Sequence, residues 1–190
     1  MPAADTPPSL PQKPLYALYS SEIVTLGAQK FVNHFARATQ GGYSELHLSI
    51  NSTGGAVSDG IFLYNLLRSS PIPVTAYNMG SVQSIATIVF LGAKKRVVSK
   101  HGLFMVHRTT FNLQNVTVPM LKGIVENGEA EDNRTETILR SHVTLQGRDW
   151  TDLREQSFWF NAQEALSAGI ATEIGEFSPP PGAEIWSFTL

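Results

Sequence analysis

Three short segments of the chain carry residue types that together could cleave an acyl bond. They are residues 46–55 (LHLSINSTGG), residues 80–86 (GSVQSIA) and residues 105–107 (MVH). A serine at a turn can act as a nucleophile, and a histidine can accept its proton. We therefore predict a serine-hydrolase site in which Ser84 is the nucleophile and His107 is the general base.

Two backbone N–H groups are the candidates for an oxyanion hole. Gly54 and Gly55 follow one predicted strand, and the turn at Ser84 follows the next. Taken alone, a glycine pair predicts only a tight turn, and a serine before a helix predicts an N-cap. The carboxyl ends of adjacent parallel strands meet at one edge of a sheet, however, so the two turns can converge. The N–H groups of Gly55 and Ile85 could then hold a developing oxyanion.

The general base must be chosen among five histidines. Four of them have ordinary structural explanations in a helix, a strand or a turn: His34, His47, His101 and His142. His107 alone follows an apolar strand at the predicted mouth of the sheet, where a neutral imidazole can take the serine proton.

The elements that must position these residues alternate along the chain. Strand patterns occur at residues 22–26, 46–50, 74–79, 96–99, 103–106 and 170–174, and helical patterns at residues 31–38, 61–67, 84–91 and 162–168. We take Ser58 or Asp59 as the cap of the second helix, and Asn161 with Glu164 as a capping box for the last. The alternation predicts an α/β fold with a parallel sheet and right-handed crossovers.

One long, polar helix is predicted from residue 116 to about residue 142. It separates the two halves of what the length of 190 residues indicates is one compact domain. We predict a flexible proline-rich arm over residues 1–14, the domain over residues 15–177 and a proline-rich tail over residues 178–190.

Composition disfavours several classes of function. The net charge of −2 gives no electrostatic footprint for nucleic acid. The chain has no cysteine, which excludes disulfides, thiolate metal sites and a cysteine nucleophile. The longest apolar run, residues 85–93, has about half the length of a membrane span. We expect a cytoplasmic protein that needs no metal or cofactor and binds neither nucleic acid nor membrane.

The same segments resemble those of a known family, the proteolytic subunit of the Clp protease. Residues 50–55 resemble its INSPGG, residues 80–84 its GxAAS, residues 105–107 its MIH and residues 162–170 its closing AxEAxxxGL, so the resemblance covers roughly residues 20–176. It implies a ClpP/crotonase-like spiral of repeated ββα units with the long helix as a protruding handle. It also implies the same roles for Ser84, His107, Gly55 and Ile85.

The resemblance further implies an assembly and a substrate. Members form a heptameric ring or double ring of identical subunits, joined through the handle helix. An AAA+ ATPase unfoldase feeds unfolded polypeptide into the chamber that the rings enclose.

The chain departs from the family's pattern near the proposed site. The family's triad aspartate corresponds to Ser157, and the nearby acids that could substitute for it are Asp149, Asp152 and Glu155. In addition, Thr53 replaces a proline, Gln83 replaces a small alanine beside the nucleophile, and Arg108 follows the histidine in place of glutamine.

Two alternatives to a serine endopeptidase stay open at this point, and so does a different base within the peptidases. Ser157 at the acid position favours a catalytically weak or inactive subunit that acts as a scaffold. A crotonase-type acyl-CoA enzyme would keep the fold and use the paired N–H groups to hold a thioester enolate. A Ser-Lys dyad would use Lys122 as its base, although His107 fits the expected position better.

Overall fold

A computed structural model describes residues 13–188, which form nine strands, five α-helices and one 3-10 helix. In chain order they are β1 (Leu15–Ser20), α1 (Thr25–Gln40), β2 (Leu46–Asn51), α2 (Val57–Arg68), β3 (Val74–Asn78), β4 (Ser81–Gln83), α3 (Ile85–Leu91), β5 (Lys95–Val98), β6 (Leu103–Val106), α4 (Val118–His142), the 3-10 helix (Trp150–Arg154), β7 (Phe158–Phe160), α5 (Ala162–Ser167), β8 (Glu173–Ile174) and β9 (Ile185–Ser187).

The strands form two sheets. The larger has six strands in the order β8-β5-β3-β2-β1-β9, and every pair in it is parallel. The smaller has the order β4-β6-β7, with β4 parallel and β7 antiparallel to β6. The predicted α/β fold with a parallel sheet is therefore confirmed. Two successive strand pairs, β3 with β4 and β5 with β6, divide between the two sheets, as a spiral of repeated ββα units requires.

The core explains why the central elements form. Leu46, Leu48 and Ile50 alternate along β2 and are almost fully buried, and α1 covers them with Phe31 and Phe35. All seven residues of α3 are buried, so this helix lies inside the molecule and its apolar run needs no polar face. The carboxyl ends of β2 and β4 are thereby held close to the start of α3.

The start of the chain differs from the sequence prediction. The strand predicted at residues 22–26 is wrong: Ile23 makes a single bridge with Gly55, and α1 already begins at Thr25. The first strand is instead β1, which pairs with β2 over its full length. The β-branched run at residues 23–25 is too short to outweigh the burial that α1 gains.

The predicted cap of α2 is also wrong. The helix begins at Val57 after Ala56, one residue before the first predicted cap. The hydroxyl of Ser58 instead donates to Glu131 on α4 at 3.0 Å, and the carboxylate of Asp59 accepts from Thr25 at 2.9 Å. Each of these side chains therefore connects two helices and caps none. The turn at Gly54 and Gly55 fixes where α2 begins, and Ser58 and Asp59 both lie inside the helix.

The long predicted helix is present as α4, with 25 residues. Its second half packs on the domain through Leu139, whereas its first half exposes the apolar side chains of Val118, Met120, Leu121 and Val125. None of the helices in residues 13–188 combines the length and hydrophobicity that a membrane span requires.

The two ends of the chain meet at one edge of the large sheet. Residues 1–12 of the predicted arm lie outside the described residues. After its prolines, the predicted tail adds β9 beside β1, and the ring of Phe188 is buried 5.3 Å from that of Phe31. The end of the described tail is therefore packed on the domain, because Trp186 and Phe188 contact side chains of α1.

The capping box predicted for α5 is confirmed and gives a stability prediction. The side chain of Asn161 accepts from the N–H groups of Gln163 and Glu164, and Glu164 accepts from the N–H of Asn161. We expect Asn161→Ala to lower the free energy of unfolding by about 1 kcal/mol, because the first N–H groups of the helix lose their acceptor. Urea unfolding measures this, with Gln163→Ala, an exposed residue of the same helix, as the control. Equal effects of the two changes would contradict the role of the cap.

Candidate active site

Ser84 lies in the turn between β4 and α3, in an unusual backbone conformation. Its φ of 54° and ψ of −132° are rare for a residue with a side chain. The turn is held by the N–H of Ser84, which donates to Met105 O at 2.7 Å, and by the buried hydroxyl of Thr87, which donates to Val82 O. Such a turn projects the hydroxyl of Ser84 away from the helix and leaves it accessible.

The two glycines after β2 permit the close approach of this turn. A Cβ on Gly54 would lie 2.6 Å from the Cβ of Ser84, and one on Gly55 would lie 2.1 Å from Ile23 O. Both glycines also have positive φ values, 101° and 147°. No other residue type fits these positions without moving the serine turn or the chain at Ile23.

His107 is hydrogen-bonded to Ser84. It follows the last residue of β6, and its Nε2 lies 2.9 Å from Ser84 Oγ. The imidazole is partly buried, and this burial lowers its pKa below the usual 6.5, while the negative charge of Asp132 acts in the opposite direction. The ring is therefore neutral at pH 7 and can accept the hydroxyl proton.

Gly55 and Ile85, the two candidate oxyanion donors, line the same cavity. Within residues 13–188, no backbone hydrogen bond uses the N–H of Gly55 or of Ile85. The neighbours of Gly55 are bound, since Ile23 N donates to Gly54 O and Ala56 N donates to Ile23 O, both at 2.7 Å. These bonds fix the orientation of the Gly55 peptide and leave its N–H free.

The serine, the histidine and both candidate donors line one cavity of about 290 Å³. Its walls are otherwise apolar side chains and threonines: Thr53, Val57, Ile88, Val106, Thr109, Thr110, Thr135 and Leu139, with Arg108 at one side. The volume is close to the lower limit of typical ligand sites. It suits one side chain and the backbone next to it better than a large cofactor.

The predicted third member of the triad is not in contact with His107. The β6–β7 ladder ends at the Val106–Phe158 pair, and His107 and Ser157 each lie one residue beyond it, at the same end. Ser157 is exposed, and no hydrogen bond joins it to the imidazole. The position is therefore where the family's pattern places an acid, but its side chain supplies no charge.

The acids near Ser157 in sequence are not at the imidazole either. Asp149 accepts from Thr151, and Asp152 accepts from Asp149 N in the capping box of the 3-10 helix. The bonds from Thr151 lower the pKa of Asp149. Glu155 ends the same short helix and is exposed. Sequence proximity alone did not show that capping already occupies the two aspartates.

Other residues singled out from the sequence lie away from the serine. Gln83 is larger than the alanine that it replaces, but it does not narrow the cavity. Its amide folds back and donates to Ser81 Oγ at 2.7 Å. Lys122 is on the exposed first part of α4 and does not line the cavity. Thr53 does line it, beside the glycine turn.

Sequence reasoning missed a charged network beside His107. Arg108 Nη2 donates to Glu136 at 2.6 Å, and Arg108 Nη1 lies 3.5 Å from Asp132. Asp132 in turn accepts from Thr109 N at 2.7 Å. The available signal was the spacing of Asp132 and Glu136, which places both on one face of α4, one turn apart.

Within this α/β fold, Ser84 and His107 are in hydrogen-bonding contact in a cavity that Gly55 and Ile85 also line. The family model for Clp protease matches residues 17–178, and the chain belongs to that family. This assigns it to a family of peptidases.

Individual relatives are distant. The chain is 24% identical over 139 residues to "ATP-dependent Clp protease proteolytic subunit 2" of Corynebacterium diphtheriae, covering 72% of this chain and 69% of the relative. It is 26% identical over 175 residues to the "ATP-dependent Clp protease proteolytic subunit" of Oenothera elata subsp. hookeri, covering 83% and 68%. With the solved structure of a ClpP1 point mutant from Listeria monocytogenes it shares the fold at a TM-score of 0.72 and 19% identity, covering 85% of this chain and 91% of the other. The recognised family and the ClpP-like fold are thus confirmed.

Proposed function

We propose that this protein is a serine endopeptidase of the Clp proteolytic-subunit type, with Ser84 as nucleophile and His107 as general base. The observation that carries the proposal is the 2.9 Å hydrogen bond between Ser84 Oγ and His107 Nε2. It lies in a cavity that Gly55 and Ile85 also line, and no backbone hydrogen bond within residues 13–188 uses the N–H of either residue. Membership of the peptidase family supports the same reaction.

The reaction follows the general route of acyl transfer through serine. His107 takes the proton of Ser84 as Oγ attacks the carbonyl carbon of the peptide bond, and the carbonyl oxygen becomes an oxyanion. The N–H groups of Gly55 and Ile85 are the donors proposed for it, and their fixed orientation costs no rearrangement during the step. His107 then gives the proton to the leaving amine, and water hydrolyses the acyl-enzyme with the same base.

The walls of the cavity suggest which substrates fit. Val57, Ile88 and Leu139 present an apolar surface of a size that one aliphatic or aromatic side chain would fill. We propose an unfolded polypeptide or peptide as the substrate, because an extended chain can place one such side chain beside Ser84. No nucleic acid, membrane, metal or cofactor has a place in this proposal.

An assembly of identical subunits is part of the proposal. The first half of α4 exposes Val118, Met120, Leu121 and Val125, an apolar strip that a second copy of the chain would cover. We propose a heptameric ring or double ring joined through this handle, in the cytoplasm, with an AAA+ ATPase unfoldase as a partner. The names of the two relatives, which include the words "ATP-dependent", support the last point for those proteins.

A second candidate function is a catalytically weak or inactive subunit that acts as a scaffold. It is favoured by one observation: Ser157, at the position that the resemblance assigns to the triad acid, carries no charge, and no acid hydrogen-bonds His107 among residues 13–188. The crotonase-type alternative has no comparable support, because it leaves the hydrogen bond between Ser84 and His107 without a role.

Incubation with an unfolded polypeptide tests the proposal. Mass spectrometry of the products should show new internal termini with the parent protein and none with Ser84→Ala, while both proteins elute as the same assembly from size exclusion. An assembled parent protein that produces no new termini would favour the scaffold.

The pH dependence of hydrolysis tests the base. Because burial lowers the pKa of His107 below 6.5, the ring stays neutral, and thus active, into mildly acidic solution. We expect kcat/KM to fall to half its plateau at a pH below 6.5, measured with a fluorogenic peptide from mildly acidic to mildly alkaline pH. A midpoint at or above 6.5 would indicate a different base or a less buried ring.

A further inference from the structure

We propose that Asp132 on α4 is a positioning residue that takes over part of the role of the missing triad acid. It holds the chain just after His107 and supplies the negative charge that favours the imidazolium formed during turnover. This inference rests on the proposed function and adds a residue that lies 25 positions before Ser157, in a different element.

The first step is a direct contact with the loop that carries the base. Asp132 Oδ1 accepts from Thr109 N at 2.7 Å, two residues after His107. Strand β6 ends at Val106, so the ladder no longer holds the backbone here. A hydrogen bond to a carboxylate is shorter and stronger than a neutral one, and this carboxylate is only 19% exposed. It therefore fixes the segment from which the imidazole projects.

Helix α4, which carries Asp132, is itself packed against the site. One turn further along α4, Thr135 lines the cavity, and Leu139 does so a turn later. On the other side of Asp132, Glu131 accepts from Ser58 Oγ of α2 at 3.0 Å. This part of α4 is thus a fixed wall of the site, and Asp132 is held at a constant distance from the serine turn.

Asp132 and Glu136 share the positive charge of Arg108 unequally. Arg108 lies closer to Glu136, at 2.6 Å, than to Asp132, at 3.5 Å. Glu136 also binds Arg140 at 2.7 Å. Glu136 is therefore shared between two guanidinium groups, and Asp132 keeps a charge that is only partly neutralised.

The charged groups around His107 come from few elements. Arg108 belongs to its own loop, and Asp132 and Glu136 face it from α4; Glu129 and Arg154 line the crevice beyond Arg108. Ser157, the residue before β7, carries no charge. Asp132 is the acid whose charge acts on the imidazole, and it raises the pKa of His107 against the effect of burial.

Asp132→Asn separates the charge from the contact, because the amide oxygen can still accept from Thr109 N. We expect the pKa of His107, followed by NMR titration of the histidine ring, to fall further below that of the parent protein. The acid limb of kcat/KM should move to lower pH by the same amount, and the plateau should fall by up to about tenfold if the pKa of the base falls by one. Glu126→Gln is the control, since Glu126 is an exposed acid on the same helix.

A second variant distinguishes positioning from general damage. In the Asp132→Asn background, Ser157→Asp should restore the pKa of His107 and most of the lost rate, because it supplies a new carboxylate at the neighbouring position. If Asp132→Asn leaves both the ring pKa and the plateau unchanged, the inference is wrong, even when Ser84 is active. An inactive Ser84 in the parent protein would overturn the proposed function instead, and the NMR titration would still test the effect of Asp132.

Discussion

His107→Ala is expected to reduce kcat for peptide hydrolysis by a factor on the order of 10⁴, with little change in KM. The loss from a complete triad is on the order of 10⁶, and the parent protein starts about 10² lower because it lacks the triad acid. In serine peptidases, loss of the histidine alone costs about as much as loss of the whole triad, because the serine keeps its proton. Here the 2.9 Å contact is the only side-chain hydrogen bond of Ser84 Oγ among the described residues. Initial rates on a fluorogenic peptide measure the effect.

A matched control is available for this change. His101→Ala removes an exposed histidine in the turn before β6, so it should keep nearly full activity and the same thermal midpoint. If His107→Ala retained more than a few per cent of the parent rate while His101→Ala behaved as the parent, another group would be the base. The proposed mechanism would then be wrong.

Ser157→Asp is expected to raise kcat/KM by a factor on the order of 10². Ser157 and His107 each lie one residue beyond the Val106–Phe158 pair that ends the β6–β7 ladder, so the two positions are neighbours at that end of the sheet. A carboxylate there can accept from the imidazole Nδ1–H and stabilise the imidazolium, and loss of that function in a template triad costs about 10⁴. The gain is expected to be smaller than that because Asp132 already acts on the ring.

The control for this gain is Ser157→Asn, which has nearly the same size as Ser157→Asp and no charge. It should stay within about twofold of the parent rate. Equal rates for the parent, Ser157→Asp and Ser157→Asn would contradict the assignment of Ser157 to the missing acid position.

Much of the fold could be predicted from the sequence. The long apolar and alternating segments predicted β2, β3, β6, α3 and α4 close to their observed bounds, because burial on one or both faces determines these elements. The capping box of α5 was predictable for a local reason, since four residues contain all of its hydrogen bonds.

The short strands could not be predicted, because they depend on contacts between distant segments, which the periodicity of the sequence does not indicate. Strands β4, β7 and β9 have three residues each, too few to show an alternation, and they exist because neighbouring strands supply their partners. The β6–β7 pair in particular brings Ser157 to the end of the small sheet at which His107 lies.

The candidate site likewise has a part that the sequence predicts and a part that it does not. The juxtaposition of Ser84 and His107 follows from the order of parallel strands, and the structure places them in hydrogen-bonding contact, as predicted. Asp132 could not be found in this manner, because α4 reaches the base from 25 residues further along the chain, and its packing against α2 and α3 places the carboxylate at the loop.

Intact-mass analysis after treatment with a fluorophosphonate probe tests the central claim most directly. The reagent modifies only a serine whose proton is removed by a neighbouring base, so the parent protein at neutral pH should gain one probe mass per chain. Ser84→Ala should gain none, and His107→Ala should react far more slowly. An assembled parent protein that stays unlabelled, or that is labelled equally in Ser84→Ala, would contradict the account of Ser84 as an activated nucleophile.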